Sequence, residues 1–164
     1  TLYATQALKL AMPVLEPVIC DPDNVCLRAE MLQASLLAGL AISNTKTALA
    51  HSISYPITMH YGVPHGIACS FALPSILRFN SEVDDGRLHQ LAVDLGRASV
   101  DDLHAYVTGL LDSLCARKMM AGRVESIKQL EQLVSEMLTP GRSDNNLKVA
   151  AYWDLAAILK YSVR

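Results

Sequence analysis

In its pattern of apolar and polar positions the chain reads as helices from end to end. Leu2 to Val18 is rich in Ala and Leu, with Pro13 and Pro17 placed to bend or end it. Asp21-Pro-Asp-Asn reads as a turn with capping residues. From Cys26 to Ser43 the apolar residues Leu27, Met31, Ala34, Leu37 and Ala38 fall close to a 3.6-residue period. A further helix is expected from Asn44 to Tyr55, stopping before Pro56 because a proline ring disfavours α geometry in the residue before it. His51 would then sit in its last turn. Tyr61-Gly-Val-Pro-His-Gly reads as a loop, and Ile67 to Leu77 is apolar with almost no period, as suits a helix buried on most sides. More polar helices follow at Asp84 to Leu95, Val100 to Arg117 and Val124 to Leu138, then Ala150 to Tyr161 after a Thr-Pro-Gly-Arg turn. No stretch alternates Val, Ile, Thr and aromatics as a strand would. Nor does any repeat, low-complexity run or linker divide the chain, so the expectation is one all-α domain over residues 1–164.

Composition narrows the function classes. The 164 residues are enough to bury about two-thirds of the unfolded chain's surface without staples. An apolar share of 51%, a charged share of 18% and a net charge of -2 describe a globular protein with no basic patch, which excludes a nucleic-acid partner. Cys20, Cys26, Cys69 and Cys115 are scattered, without zinc-ribbon spacing or the density of a secreted disulfide scaffold, and read as reduced thiols in a cytoplasmic protein. The longest apolar run, Ile67 to Leu77, is broken by Pro74 and falls short of the roughly eighteen residues of a membrane span. The opening Thr1-Leu-Tyr-Ala-Thr-Gln has neither an initiator methionine nor a signal peptide's charged region. Such a start fits a piece of something longer as well as a processed or cloned terminus.

The candidate chemistry lies in Ala48 to Gly66, which holds His51 and His65 fourteen residues apart. Spacing alone leaves two readings, hydrogen-bonded core histidines or metal ligands. Pro64-His65-Gly66 favours the second, since it sets an imidazole at the mouth of a helix with a glycine behind it, where backbone can approach a ligand closely. Imidazole is also the commonest metal ligand. Ligands from the end of one helix and the start of the next can converge on one ion.

Leu36-Leu-Ala-Gly-Leu-Ala-Ile-Ser-Asn44, then His51, Tyr61-Gly-Val-Pro-His65-Gly and Leu73-Pro74 through Arg78-Phe-Asn80 resemble the iron-containing alcohol dehydrogenases. The resemblance runs from about Thr5 to Asn80, returns in Thr139-Pro-Gly-Arg-Ser-Asp-Asn-Asn146, and is one of pattern only between Ser81 and Leu138. It implies the helical, metal-holding C-terminal half of a two-domain enzyme whose N-terminal α/β half binds NAD(P). The family's metal, Fe2+ or Zn2+, is held by an Asp and three His. His51 and His65 match two of these, while an Asp-x-x-x-His motif would lie upstream of Thr1. Asp85-Gly-Arg-Leu-His89 has that spacing too but follows His65 in a polar stretch, and reads, like His104, as part of a solvated helix.

The resemblance also implies roles nearby. Tyr55 stands where the commonest pattern has a further His near nicotinamide and substrate, so it either relays a proton, as a poor base with a pKa of about 10, or shapes the pocket. His60 is the alternative relay, or else a surface histidine. Ile42 takes the place of an aromatic beside the substrate. Ser-Tyr-Pro-Ile-Thr and Ile67-Ala-Cys-Ser resemble the branch that reduces phosphonate aldehydes, although Lys46 and Arg78, the nearby cations, read as solvated or structural. Cys69 reads as a small core residue. Three functions remain open: the metal-binding domain of a dehydrogenase acting on a small alcohol or aldehyde and inactive alone, a stand-alone oligomerising protein, or a small-molecule binding module. The first would bury the face left by an absent cofactor domain against a partner domain, the second would bury it in a homo-oligomer, and the third would reuse the emptied pocket.

Overall fold

The computed structural model describes residues 2–163 and contains helices and loops, with no strand among the described residues. The all-α expectation therefore holds, while several helix boundaries do not. Helix α1 (Leu2–Cys20) runs straight through Pro13 and Pro17. Asn24 then caps α2 (Val25–Thr45), its side-chain oxygen accepting from the amides of Cys26 and Leu27 at 3.1 and 3.2 Å. These two helices pack on each other as a hairpin.

Helix α3 (Leu49–Tyr61) starts later and ends later than its pattern predicts. Asn44 and Thr45 complete α2, Lys46 breaks the chain at φ 63°, and His51 lies in the first turn of α3 instead of the last. Pro56 sits inside the helix. It removes one amide donor and in isolation would cost about 3 kcal/mol. Packing outweighs that cost, because Leu49, Ile53 and Ile57 form a stripe with no exposed surface and Pro56 is itself buried. Gly62 ends α3 in the left-handed conformation at φ 61°, its amide donating to the Thr58 carbonyl, and the buried Val63 anchors the turn.

The apolar run after His65 is two helices, α4 (His65–Ser70) and α5 (Leu73–Ser81), because Pro74 can enter only the first turn of a new helix. The next helices are α6 (Arg87–Asp94), capped by Asp84, and α7 (Val100–Ser113), capped by Ser99. Helix α7 stops short of Arg117 where Cys115 takes φ 57°, and α8 (Ala116–Ala121) follows. Val124 to Leu138 is likewise two short pieces, α9 (Ile127–Glu131) and α10 (Val134–Met137). A 3-10 turn at Ser143–Asn145 leads to α11 (Tyr152–Ser162).

One core collects α3, α4, α5, α8, α9, α10 and α11 around Ile53, Ile57, Phe71, Leu130, Met137, Leu155 and Leu159. The α1–α2 hairpin contributes nothing to it. Ala34 is the one buried residue of α2, and Leu32 and Leu36 are 73% and 64% exposed. The same helix is 21 residues long with a mean hydropathy of 1.5, so it meets the length and composition of a membrane span, contrary to the sequence expectation. A single such helix near a terminus is weak evidence for a span, and an apolar helix that lacks its packing partner has the same signature.

Candidate metal centre

The turn from α3 to α4 builds the site. Helix α3 directs its core stripe inward, so His51, Ser54 and Tyr55 occupy the side that meets α4. The Gly62-Val63-Pro64 turn, held by a 2.8 Å hydrogen bond from Arg123 Nη1 to the Gly62 carbonyl, returns the chain so that His65 opens α4 opposite them. The His51 and His65 rings lie 5.6 Å apart, centre to centre. Tyr55, one turn after His51, stacks on His65 at 5.6 Å with planes 18° apart. Cys69, one turn after His65 and on the same face of α4, places its Sγ 3.5 Å from His65 Nε2. One donor atom from each of His51, His65 and Cys69 falls within 4.8 Å of the others.

The surroundings prepare these donors. Burial, reinforced by the neighbouring His65, holds the His51 imidazole below its ordinary pKa, which keeps it neutral at pH 7 with a lone pair to offer. Burial pushes the Cys69 thiol up, against a smaller opposing hydrogen bond from Ser54. It is therefore a thiol at neutral pH and a poor nucleophile. The fully buried Ser54 hydroxyl donates to the His51 carbonyl at 2.8 Å and lies 3.4 Å from His65 Nδ1. With its proton on the His51 carbonyl rather than on Cys69, that oxygen is placed to accept from Nδ1–H, an arrangement that favours the tautomer with His65 Nε2 unprotonated on the Cys69 side. Ser54→Ala should weaken metal binding about tenfold to hundredfold at unchanged fold, which a chelator competition measures. Unchanged affinity would show that the tautomer is set otherwise.

Arg142 completes the patch. Its guanidinium carbon sits 4.7 Å over the Tyr55 ring, on the face of a loop held to the α2–α3 junction by Asn145, whose Nδ2 donates to the carbonyls of Thr45 and Thr47 at 2.7 and 3.1 Å. His65 and Arg142 are exposed and His51, Tyr55 and Cys69 half-buried, so the centre is open to solvent.

One candidate lies elsewhere. His60, nine residues after His51, is on the opposite side of α3, exposed and paired to Glu136 at 3.0 Å, so the structure does not bring it to the histidine pair. Ile42 is exposed on α2, which packs on α1. Asp85 holds Arg87 at 2.8 Å, and His104 lines a separate cavity of about 600 Å³ with Arg78, Arg117 and Lys148. Sequence reasoning took Cys69 for a core residue and passed over Arg142. The i, i+4 spacing of His65 and Cys69 was a usable signal, whereas nothing local places Arg142 on Tyr55.

Residues 2–163 match the Fe-containing alcohol dehydrogenase family, C-terminal. The chain belongs to this family. It is 36% identical over 84 residues to the phosphonoacetaldehyde reductase of Streptomyces viridochromogenes, covering 51% of this chain and 21% of that protein. It is 29% identical over 152 residues to the 1-propanol dehydrogenase of Salmonella typhimurium, covering 90% of this chain and 39% of that protein. Among solved structures, the sulfoacetaldehyde reductase of Bifidobacterium kashiwanohense in complex with NAD+ superposes with a TM-score of 0.83 at 28% identity, over 98% of this chain and 43% of that one. The chain thus spans less than half the length of these Fe-containing alcohol dehydrogenase relatives. The donor set fits the divalent metal of the family, since imidazole nitrogens on a solvent-open face suit iron or zinc. The 164 residues contain no Gly-rich phosphate loop that would fit a dinucleotide.

Proposed function

We propose that residues 1–164 form a single helical domain that holds the metal of an NAD(P)-dependent alcohol dehydrogenase or aldehyde reductase, and that turnover requires a dinucleotide-binding domain. The observation that carries this reading is the convergence of His51 and His65 at the α3–α4 turn, within the region that matches the family. His51 and His65 would hold Fe2+ or Zn2+. A divalent ion with an open position polarises an aldehyde oxygen or lowers the pKa of an alcohol. Tyr55, stacked on His65, positions that ring and is the better placed of the two relay candidates, since His60 faces away.

The substrate we propose is a small aldehyde with an anionic end. Two relatives are named for phosphonoacetaldehyde and sulfoacetaldehyde, and Arg142 offers a cation two ring layers from His65. The four unpaired cysteines support a cytoplasmic setting. The test is metal content after purification without chelator, for the chain and a His51→Ala, His65→Ala double variant. Near-stoichiometric iron or zinc in the first and background in the second is the expected result, with no alcohol turnover by either when NAD+ or NADP+ is added. Metal retained by the double variant, or absent from both, overturns the reading.

A second reading, an oligomerising module without catalysis, draws on the exposed Leu32, Leu36 and Leu40 face of α2. A metal-free homodimer or tetramer in sedimentation, dissociated by Leu32→Lys with Leu36→Lys, would establish it.

A further inference from the structure

We infer that Lys46 is a second cation for the anionic end of the substrate, tied to the Arg142 turn by Asn145, so that an ammonium and a guanidinium together select a phosphonate or sulfonate aldehyde. The inference rests on the reading of the substrate as a small aldehyde with an anionic end, and names the residue that shares the anion with Arg142.

The backbone supports it first. At φ 63° and ψ -173° Lys46 lies in a region that glycine alone enters freely, because a Cβ there crowds its own backbone. Cys115, the other described non-glycine residue with positive φ, has ψ 25° and lies in the ordinary left-handed well. A glycine would make the break between α2 and α3 without strain, yet a lysine stands there. The conformation is imposed from outside. Asn145 Nδ2 donates to the carbonyls of the residues on either side, Thr45 at 2.7 Å and Thr47 at 3.1 Å, and the Lys46 amide donates to the Ile42 carbonyl at 2.8 Å. Strain maintained by surrounding contacts in this way gathers at ligand clamps and active sites.

The same asparagine joins Lys46 to the candidate substrate cation. Its own amide donates to the Arg142 carbonyl at 3.1 Å, so one residue ties the strained lysine to the turn that carries the guanidinium over Tyr55. Lys46 also stands just ahead of α3, whose first turn holds His51. The lysine is exposed and has no ion-pair partner among the described residues, whereas Arg78 and Lys148 are each paired with an acid. A phosphonate or sulfonate presents three oxygens. A guanidinium fork serves two of them, and a compact ammonium on a flexible four-carbon stem serves the third.

The test compares the parent, Lys46→Gly and Lys46→Arg in the enzyme assembled with a dinucleotide-binding domain, by thermal unfolding and by kinetics with phosphonoacetaldehyde and propanal. Lys46→Gly relieves the strain and removes the charge. It is expected to raise the unfolding midpoint by about 2–4 °C and to lower the preference for phosphonoacetaldehyde over propanal about tenfold, through KM rather than kcat. Methylphosphonate, which carries the anionic end without the aldehyde, should inhibit the parent competitively and the glycine variant about tenfold more weakly. Lys46→Arg keeps both charge and strain and should retain most of the preference at the parent's midpoint. A higher midpoint with unchanged preference makes Lys46 a turn residue and overturns the inference, as does an equal fall for both aldehydes; in either case a parent that prefers phosphonoacetaldehyde leaves the anionic substrate standing. A parent without that preference removes the anionic substrate and the inference together.

Discussion

An Ile53→Ala variant is expected to lose about 2–5 kcal/mol of unfolding free energy and the metal centre with it. Ile53 has no exposed surface and stands between Leu49 and Ile57 in the stripe that seats α3 on the core. Its truncation removes three carbons from a packed interior and leaves a cavity that the neighbouring helices fill only in part. Helix α3 is 13 residues long and carries a proline, too short and too interrupted to persist without that packing. It is also the element that aims His51, Ser54 and Tyr55 at α4, so a looser seat spreads the donor atoms. A urea titration should show the midpoint falling at an unchanged slope, together with weaker zinc binding. Met59→Ala, on the same helix but 82% exposed, should stay within about 0.5 kcal/mol of the parent. A loss below about 1 kcal/mol for Ile53→Ala would mean that α3 is held by something other than this stripe.

The same helix shows what the sequence carries and what it does not. Asn24 as a cap and Asp84 ahead of α6 act within a few residues and are legible from residue types alone. So is the all-helical class, because the apolar positions never alternate. Pro56 misleads for a physical reason: the rule that a helix ends before proline weighs a local cost, and burial of Ile53, Ile57 and Pro56 itself exceeds that cost through contacts with residues far along the chain. The splitting of Val124 to Leu138 into α9 and α10 is not legible at all, since Leu130, Leu133, Val134 and Met137 reach the core at the i, i+3, i+4, i+7 spacing of one continuous helix face. His51 and His65 could be paired from the sequence because a short turn joins their helices. The i, i+4 spacing that sets Cys69 beside His65 is legible too, although an apolar run invites a cysteine to be read as filler. The exposed α2 face is the reverse case, a helix whose composition demands burial that the described residues do not supply.

Arg142 is where the structure turns a family resemblance into a substrate prediction. In the enzyme assembled with a dinucleotide-binding domain, Arg142→Ala should lower kcat/KM for phosphonoacetaldehyde roughly tenfold to hundredfold, the worth of a hydrogen bond to a charged group, while propanal changes by less than about threefold. The guanidinium carbon lies 4.7 Å over the Tyr55 ring, which in turn stacks on His65, so these contacts hold the cation near the candidate metal ligands. Gly141 at φ 79° and the Asn145 hydrogen bonds to Thr45 and Thr47 hold the loop that carries it. The loss should fall on KM more than on kcat, because the anionic end is bound alike in ground state and transition state. Arg142→Lys keeps the charge but loses the planar stack and the paired donors, so it should recover only part of the preference. An equal fall for both aldehydes would assign Arg142 to holding Tyr55 in place, and would remove the anionic substrate from the reading of this site.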